Sequence, residues 1–225
     1  MNILAFDTSA DFLNIALKTD NGFYEVNHQV GLKHSEHLLP QIEMLLKQAE
    51  ITIEDIGLIV CARGPGSFTG LRIGFSTAKG LASGARIPLV SVPTIDIYAA
   101  DCEKINSITI PVIDARKRRF YAALFQNGKR ISEDLDTSSL DLIQACPKDA
   151  KIVITGPDAP KFIEEIHLLS HEIGIDAGFN RGHGRKMIDL GLMQYQVHGA
   201  DCAEQGPTYI RKSEAEISRD KGLIK

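Results

Sequence analysis

Residues 2–7 read Asn2-Ile3-Leu4-Ala5-Phe6-Asp7, an apolar run that ends in a carboxylate. After a polar turn, residues 13–18 alternate between apolar and less apolar side chains, which is the period of a half-buried strand. Asn21-Gly22 then favours a hairpin turn, so residues 23–30 are predicted to form a third strand. Three adjacent strands are therefore predicted, and the first of them ends at an acidic turn.

The first half continues with a helix and a further strand. Leu38, Ile42 and Leu45 form a stripe at helical spacing, which predicts a helix over residues 35–48. Residues 57–62 are apolar without a break, as is typical of a strand that is buried on both faces. The order in this half is thus strand, acidic turn, strand, turn, strand, helix, strand.

The same order returns in the second half. Residues 108–113 are an apolar run that ends at Asp114, residues 120–125 form the next strand, and Asn127-Gly128 marks a turn. The predicted remainder is a third strand, a helix, a strand and a helix, over residues 129–132, 138–145, 151–155 and those after Pro157. Self-similarity of this kind is the signature of a duplicated unit.

A duplicated unit of this type predicts an α/β protein. Two mixed sheets flanked by helices, built twice, resemble the duplicated ribonuclease H-like fold, which is the actin-like ATPase superfold. We expect an N-terminal subdomain over residues 1–102 and a C-terminal subdomain over residues 103–204, with the boundary in the polar stretch 101–106. The tail, residues 205–225, is expected to pack back on the first subdomain.

The composition excludes several classes of protein. Hydrophobic residues are 44% and charged residues 24%, unlike a disordered or collagen-like chain. No apolar run reaches the roughly 18 residues of a membrane helix, and the four cysteines lack zinc-site spacing; a cytoplasmic protein with reduced thiols is expected. The net charge of −4 argues against unaided nucleic-acid binding. The basic run over residues 116–119 is either a solvated edge or a phosphate contact within a larger assembly.

Asp7 and Asp114 occupy equivalent points in the two halves. In ATPases of this superfold the two acidic turns hold phosphate, which requires glycine so that backbone N–H groups can approach closely. Neither residues 7–11 nor residues 114–116 include glycine. The two aspartates are therefore weak candidates for cofactor binding, and we expect no cofactor. The alternative is that each ends a strand and bonds the turn that follows.

A glycine-rich stretch opens a predicted helix at residues 63–74, with Ser67 as its N-cap. It lacks the Gly-Lys-Ser/Thr ending of a phosphate-binding loop. Gly70, Gly74 and Ala78 recur every four residues and share one helix face. Because an interior glycine costs about 1 kcal/mol relative to alanine, this face indicates close approach of another backbone. That backbone belongs either to the protein core or to a partner chain or second copy.

Histidine and serine patterns give no catalytic site. His34 and His37 flank a helix start, and His167 and His171 are four residues apart. Two ligands do not make a metal site, and no nearby residues complete either pair. The chain also lacks the Gly-x-Ser-x-Gly elbow of serine hydrolases. We predict no catalytic residue and no metal ligand.

Several motifs resemble those of the TsaB family, formerly called YeaZ, which are bacterial proteins of tRNA threonylcarbamoyladenosine biosynthesis. The resemblance covers most of the first 125 residues and the tail. It is carried by residues 6–9, 34–40, 64–74, 78–82 and 111–116, and by Pro207, Tyr209 and Arg211.

The resemblance implies a subunit without catalysis of its own. Its partner would be the paralogue TsaD, which transfers threonylcarbamoyl to N6 of adenosine 37 in tRNAs that read codons starting with A. The ATPase TsaE joins that complex, and tRNA is met indirectly. TsaD uses a His-x-x-x-His metal pair, for which this sequence has Thr94 and Tyr98. The resemblance therefore implies that the metal centre is absent.

The resemblance also implies a partner surface, and a possible homodimer surface in the isolated protein, on the helices that carry residues 34–48 and 67–82. Some residues of these helices must serve the core instead. The predicted interface residues are Leu39, Ile42, Leu46, Phe68, Gly70, Leu71, Gly74, Phe75 and Ala78.

Two other functions stay open from the residues alone. One is an enzyme in its own right, either an actin-fold ATPase or kinase or a metallopeptidase, and the other is direct RNA binding through residues 116–119.

Overall fold

The computed structural model describes residues 1–102, 107–166, 172–179 and 181–211. In its first sheet the strand order is 3-2-1-4-5, and the second strand alone runs antiparallel to its neighbours. The two central strands are buried almost throughout, which explains their unbroken apolar sequence. The five strands are β1 (Asn2–Asp7), β2 (Phe12–Lys18), β3 (Phe23–Gln29), β4 (Ile56–Ala62) and β5 (Leu89–Val92).

The second sheet repeats this topology. Its strands are β6 (Ile108–Asp114), β7 (Phe120–Ala122), β8 (Phe125–Gln126), β9 (Lys129–Arg130), β10 (Leu135–Thr137), β11 (Ile152–Thr155) and β12 (Ile173–Ile175). The main path is β10-β7-β6-β11-β12, and along this path β7 runs antiparallel to both of its neighbours while β6, β11 and β12 are parallel. The short strand β8 pairs with β6 and β9, antiparallel to both. The correspondence with the first sheet, strand for strand, confirms the duplicated α/β fold of the actin-like superfold.

One predicted strand was wrong. The third strand of the second half is β10, not residues 129–132. Residues 129–130 instead form a short hairpin with β8, and Asn127 and Gly128 adopt φ of 50° and 75° in its turn. An Asn-Gly pair predicts a hairpin correctly, but it does not tell which strands of the sheet the hairpin joins.

Within the described residues, the helices that flank the sheets are α1 (His34–Gln48), α2 (Phe68–Ala85), α3 (Thr94–Ala99), α4 (Ser139–Gln144), α5 (Ala159–Ile166) and α6 (Gly184–His198). Ser67 caps α2 as predicted, because its hydroxyl accepts a hydrogen bond of 3.3 Å from the Gly70 N–H. Helices α1 and α2 cover one face of the first sheet, and α4 and α5 cover the second sheet.

Two helices cross between the halves. Helix α3 follows the first sheet in the chain but packs against β6 of the second sheet. Helix α6 follows the second sheet and packs against β1, β2, β4 and β5. Glu25 fixes the start of α6, because its carboxylate accepts a hydrogen bond of 2.8 Å from the Gly184 N–H. The division at residues 102 and 103 assigned α6 to the second subdomain; we propose instead that it belongs to the first.

Residues 201–211, which we call the strap, run back over the first half. The Ser91 N–H donates to the Asp201 carboxylate at 2.8 Å, and the Thr208 N–H donates to the Arg63 carbonyl at 2.7 Å. The end of the strap reaches the second half, where Arg211 pairs with Asp136 at 2.8 Å. The strap thus joins both halves, and residues 212–225 of the expected tail lie outside the described residues.

The glycines of α2 pack against the turn after β1. A Cβ atom added to Gly70 would lie 2.0 Å from the Thr8 carbonyl oxygen, and one added to Gly74 would lie 2.4 Å from the Thr8 hydroxyl. The Thr8 hydroxyl donates to the Gly70 carbonyl at 2.8 Å. The close backbone approach that the glycine spacing indicates therefore occurs within this chain.

Gly70→Ala is expected to destabilise the protein, because the new methyl group overlaps a backbone carbonyl that cannot rotate away. We expect a loss of about 2 kcal/mol in the free energy of unfolding, measured by urea denaturation. Gly84→Ala is the matched control, since a Cβ there meets nothing within 4 Å; it should stabilise the helix by up to about 1 kcal/mol. Equal effects of the two changes would contradict the packing described.

Candidate functional site

A cavity of about 280 Å³ lies between the two halves. Its walls are the turn after β1, the start of α2, the turn after β6 and the strap. Residues from all four contribute, among them Asp11, Ser67, Asp114, Arg116 and Tyr209, and Asp158 lines the cavity from the turn after β11. The carboxyl ends of β1 and β6 thus meet at one cleft, as the duplication predicts.

Asp7 is buried and fully engaged inside the chain. It is 5% exposed, one carboxylate oxygen accepts from the Ser9 N–H at 2.7 Å, and the other accepts from the Tyr98 hydroxyl at 3.0 Å. Burial and the neighbouring Asp7 carboxylate raise the pKa of Tyr98 well above its ordinary value, so this hydroxyl keeps its proton. Asp7 therefore ends its strand and holds the turn that follows.

Asp114 has the equivalent arrangement in the second half. One of its oxygens accepts from the Arg116 N–H at 2.8 Å, and the other pairs with the Lys161 ammonium at 2.7 Å. Its own N–H donates to the Asp158 carboxylate at 2.7 Å. Burial raises the pKa of Asp158. Both aspartates that the sequence singled out are thus bound to neighbours in the chain.

Thr94 and Tyr98 lie on α3 and tie it to the first half. The Thr94 hydroxyl accepts from the Gly64 N–H at 3.0 Å, and Tyr98 donates to Asp7 as described. Neither side chain is a suitable metal ligand in place of histidine. Across the described ranges no group of three or more His, Cys, Asp or Glu residues could hold a metal ion.

His34 and His37, the one of the two histidine pairs that falls within the described residues, lie in different environments. His34 is buried at the start of α1, while His37 meets the His28 ring edge to face, with 5.5 Å between ring centroids. His167 and His171 lie outside the described residues. No helix in the described part of the chain is long and apolar enough to cross a membrane.

Most of the predicted interface residues lie inside the chain. Six of them are buried within the chain and are therefore not accessible to a partner in this structure. They are Ile42, Gly70, Leu71, Gly74, Phe75 and Ala78. Phe68 is half-buried and stacks on Tyr209 of the strap at 4.6 Å. Leu39 is 52% exposed, and Leu46 lies at the margin of the core. Helical spacing shows which residues share a face, but not whether that face points inward.

A different face of α2 is open. Gly80 and Gly84 are exposed, and a Cβ added to either would meet nothing within 4 Å. Ile73 and Thr77 are half-buried on the same side of the helix. Together with Leu39 and Leu46 of the adjoining α1, these four residues form what we call the α1/α2 strip. Gly80 and Gly84 are also four residues apart in the sequence, but the predicted interface was based on Gly70, Gly74 and Ala78.

Comparison with known proteins finds a matching family model, similar named proteins and a solved structure of the same fold. Residues 26–161 match a family model described as TsaD, tRNA N6-adenosine threonylcarbamoyltransferase. A Bacillus subtilis protein named tRNA threonylcarbamoyladenosine biosynthesis protein TsaB is 31% identical over 96% of each chain. The Escherichia coli protein of the same name is 36% identical over 57% of each chain. A solved structure of YeaZ from Pseudomonas aeruginosa shares the fold, with a TM-score of 0.77, 24% identity, and coverage of 93% of this chain and 99% of that one.

His34 should make stability depend on pH. Burial lowers its pKa below the ordinary value of 6.5, so the unfolded chain takes up a proton more readily than the folded protein. Stability is then complete above pH 6.5 and falls as the pH decreases toward the lowered pKa.

The measurement is urea denaturation at about pH 7.5 and about pH 5.5, on either side of the ordinary histidine pKa. His34→Gln should lose part of the pH dependence of the wild-type chain, while the same change at the exposed His198 should keep it. An unchanged pH dependence in His34→Gln would contradict the assignment of a neutral buried histidine.

Proposed function

Because this chain belongs to the TsaB family of tRNA threonylcarbamoyladenosine biosynthesis proteins, we propose that it is a non-catalytic subunit that binds and supports the transferase TsaD. Its role lies in the biosynthesis of threonylcarbamoyladenosine in tRNA. In this proposal the modified nucleoside is adenosine 37 of tRNAs that read codons starting with A. TsaE joins the complex, and the work takes place in the cytoplasm.

The engagement of Asp7 is the observation that carries the non-catalytic part of this proposal. Both of its oxygens accept hydrogen bonds from the chain itself, and Tyr98 is one of the donors. The carboxylate is only 5% exposed and these two donors fix its orientation, so it is poorly placed to orient a water or a metal ion at a phosphate. The Thr8 and Ser9 carbonyls also pack against the glycines at and just before the start of α2, and the Ser9 N–H is already bonded to Asp7, so this turn differs from a glycine-rich loop whose N–H groups point at a phosphate.

The α1/α2 strip is the proposed docking surface for TsaD. An exposed glycine inside a helix costs about 1 kcal/mol relative to alanine, and nothing within the described chain approaches Gly80 or Gly84. Small residues allow a helix from another chain to come close, while Leu39 adds exposed apolar area. The TsaD family model spans α1 and α2, so TsaD should carry an equivalent helix pair. In the isolated protein a second copy could occupy the strip.

Gly80→Arg should block binding to TsaD, because a long charged side chain would stand where the partner helix approaches. We expect the dissociation constant to rise more than about tenfold, which is about 1.4 kcal/mol, measured by calorimetry with purified TsaD. Unfolding by urea should change little, since the position is open.

Gln196→Arg is the control, because it adds the same side chain at an exposed position of α6, which packs on the opposite face of the first sheet from α1 and α2. It should bind TsaD normally. If Gly80→Arg binds as well as the control, the strip is not the docking surface. Tight binding of ATP and Mg²⁺ to the isolated chain would instead favour an enzyme of the actin-like superfold.

A further inference from the structure

The turn after β6 has an uncommon backbone. Arg116, Lys117 and Arg118 adopt φ of 63°, 56° and 58°, so three successive residues are left-handed. Residues other than glycine, asparagine and aspartate rarely take this conformation, and runs of it are rarer still. All three side chains are exposed, and that of Arg116 is 72% exposed. Strain of this kind clusters at functional sites.

The turn is held at both ends. At its start the Asp114 carboxylate accepts from the Arg116 N–H at 2.8 Å. At its end the Arg119 guanidinium pairs with Asp136 at 2.7 Å, and Arg211 of the strap bonds the same carboxylate at 2.8 Å. These pairs lower the pKa of Asp136, although burial opposes them.

Arg116 and Lys117 line the cavity, and Arg118 follows them on the same turn. Arg116 lies 3.5 Å from Asp114 in an ion pair, and its side chain is still largely exposed. The turn therefore presents cationic side chains at the mouth of the cleft.

An aromatic wall lines the same cavity. The rings of Phe68 and Tyr209 lie 4.6 Å apart at an angle of 35°, and the Arg72 guanidinium lies 3.9 Å from the centre of the Phe68 ring. Arg72 also donates to the Tyr209 hydroxyl at 3.3 Å. Tyr209 is 39% exposed, and both aromatic side chains line the cavity together with Arg116 and Lys117.

We propose that the mouth of this cleft binds a single-stranded segment of RNA. The phosphates would lie along Arg116, Lys117 and Arg118, and one base would stack against the Phe68–Tyr209 wall. Basic side chains interleaved with aromatic rings are the features that bind single strands. This contact goes beyond the proposed function, which assigns the chain a role toward TsaD and none in holding RNA directly.

The carboxylates of the cavity favour a base over a phosphate in the interior. Asp11 and Asp158 line it, and their negative charge repels a phosphate group. Carboxylate oxygens do accept hydrogen bonds from the amino and ring N–H groups of a base. The charge pattern thus places the phosphates at the basic rim and the base inside. A compact anion such as a free polyphosphate lacks the group that the wall and the carboxylates would recognise.

The test uses the full chain and a fluorescent single-stranded RNA of about twelve nucleotides, of the size that ssDNA and RNA grooves hold. Fluorescence anisotropy would give the dissociation constant at several salt concentrations. Three cations that each release about 0.7 counterion per phosphate predict a slope near −2 in log affinity against log salt. Between about 50 and about 200 mM salt the affinity should therefore fall about 20-fold.

Replacing Arg116, Lys117 and Arg118 together by asparagine removes the charges and keeps a residue that tolerates the left-handed turn. RNA affinity should fall at least about tenfold, and most of the salt dependence should disappear. Arg86→Asn is the matched control, because Arg86 is exposed and has φ of 57° at the end of α2, outside the cavity lining. It should bind RNA within twofold of the wild-type chain. Tyr209→Ala should cost about tenfold through lost stacking.

Several results would overturn the proposal. The first is the absence of salt-dependent RNA binding, and the second is a triple variant that binds like Arg86→Asn. A third is equal competition by an abasic strand of the same length, which would show a site that reads charge alone. Equal competition by a poly-glutamate peptide would assign the turn to a protein partner. TsaD binding by the triple variant is measured in parallel. The RNA result tests the cleft, and the TsaD result tests the α1/α2 strip, so that the two proposals can fail independently.

Discussion

The contact between the turn after β1 and the glycine face of α2 is the constraint on which the rest of this structure depends. The Thr8 hydroxyl donates to the Gly70 carbonyl at 2.8 Å, and the Ser67 N–H donates to the Ser9 carbonyl at 2.6 Å. These bonds bring backbone against backbone at the end of the first strand. The contact fixes the position of this turn against α2, and Ser9, Ala10 and Asp11 of the same turn still line the cavity between the two halves.

The hydrogen bonds of Asp7 connect the end of β1 to a helix that packs on the second sheet. Tyr98 reaches Asp7 from α3, the helix that crosses to the second sheet. The Tyr98 ring also meets His183 at the start of α6, which crosses in the opposite direction, with 4.7 Å between ring centroids. Tyr98 thus links the Asp7 carboxylate, α3 and the start of α6. A cleft that is tied together in this way suits a subunit that presents fixed surfaces.

Sequence patterns predicted the sheets better than they predicted the surfaces. The apolar run of β1, the cap at Ser67 and the acidic ends of β1 and β6 are local features, and the structure has each of them as expected. For α2, the sequence did not show whether the glycine face points to the core or to solvent. The spacing places Gly70 and Gly74 on one face, but it does not say what that face contacts. The packing of α6 on the first sheet and the pairing of Arg211 with Asp136 join residues that are far apart in the chain, and no local sequence pattern predicts them.

Helix α2 shows how one residue type can serve two purposes. Gly70 and Gly74 face inward, where any side chain would strike the turn after β1, while Gly80 and Gly84 face open space. The inward pair is explained by packing within the chain, whereas the outward pair lowers helix stability without a contact to account for it. The first pair holds the turn after β1 in place beside the cavity between the two halves. The second pair keeps a smooth surface on the same helix, which is what a subunit needs if it acts by holding another protein.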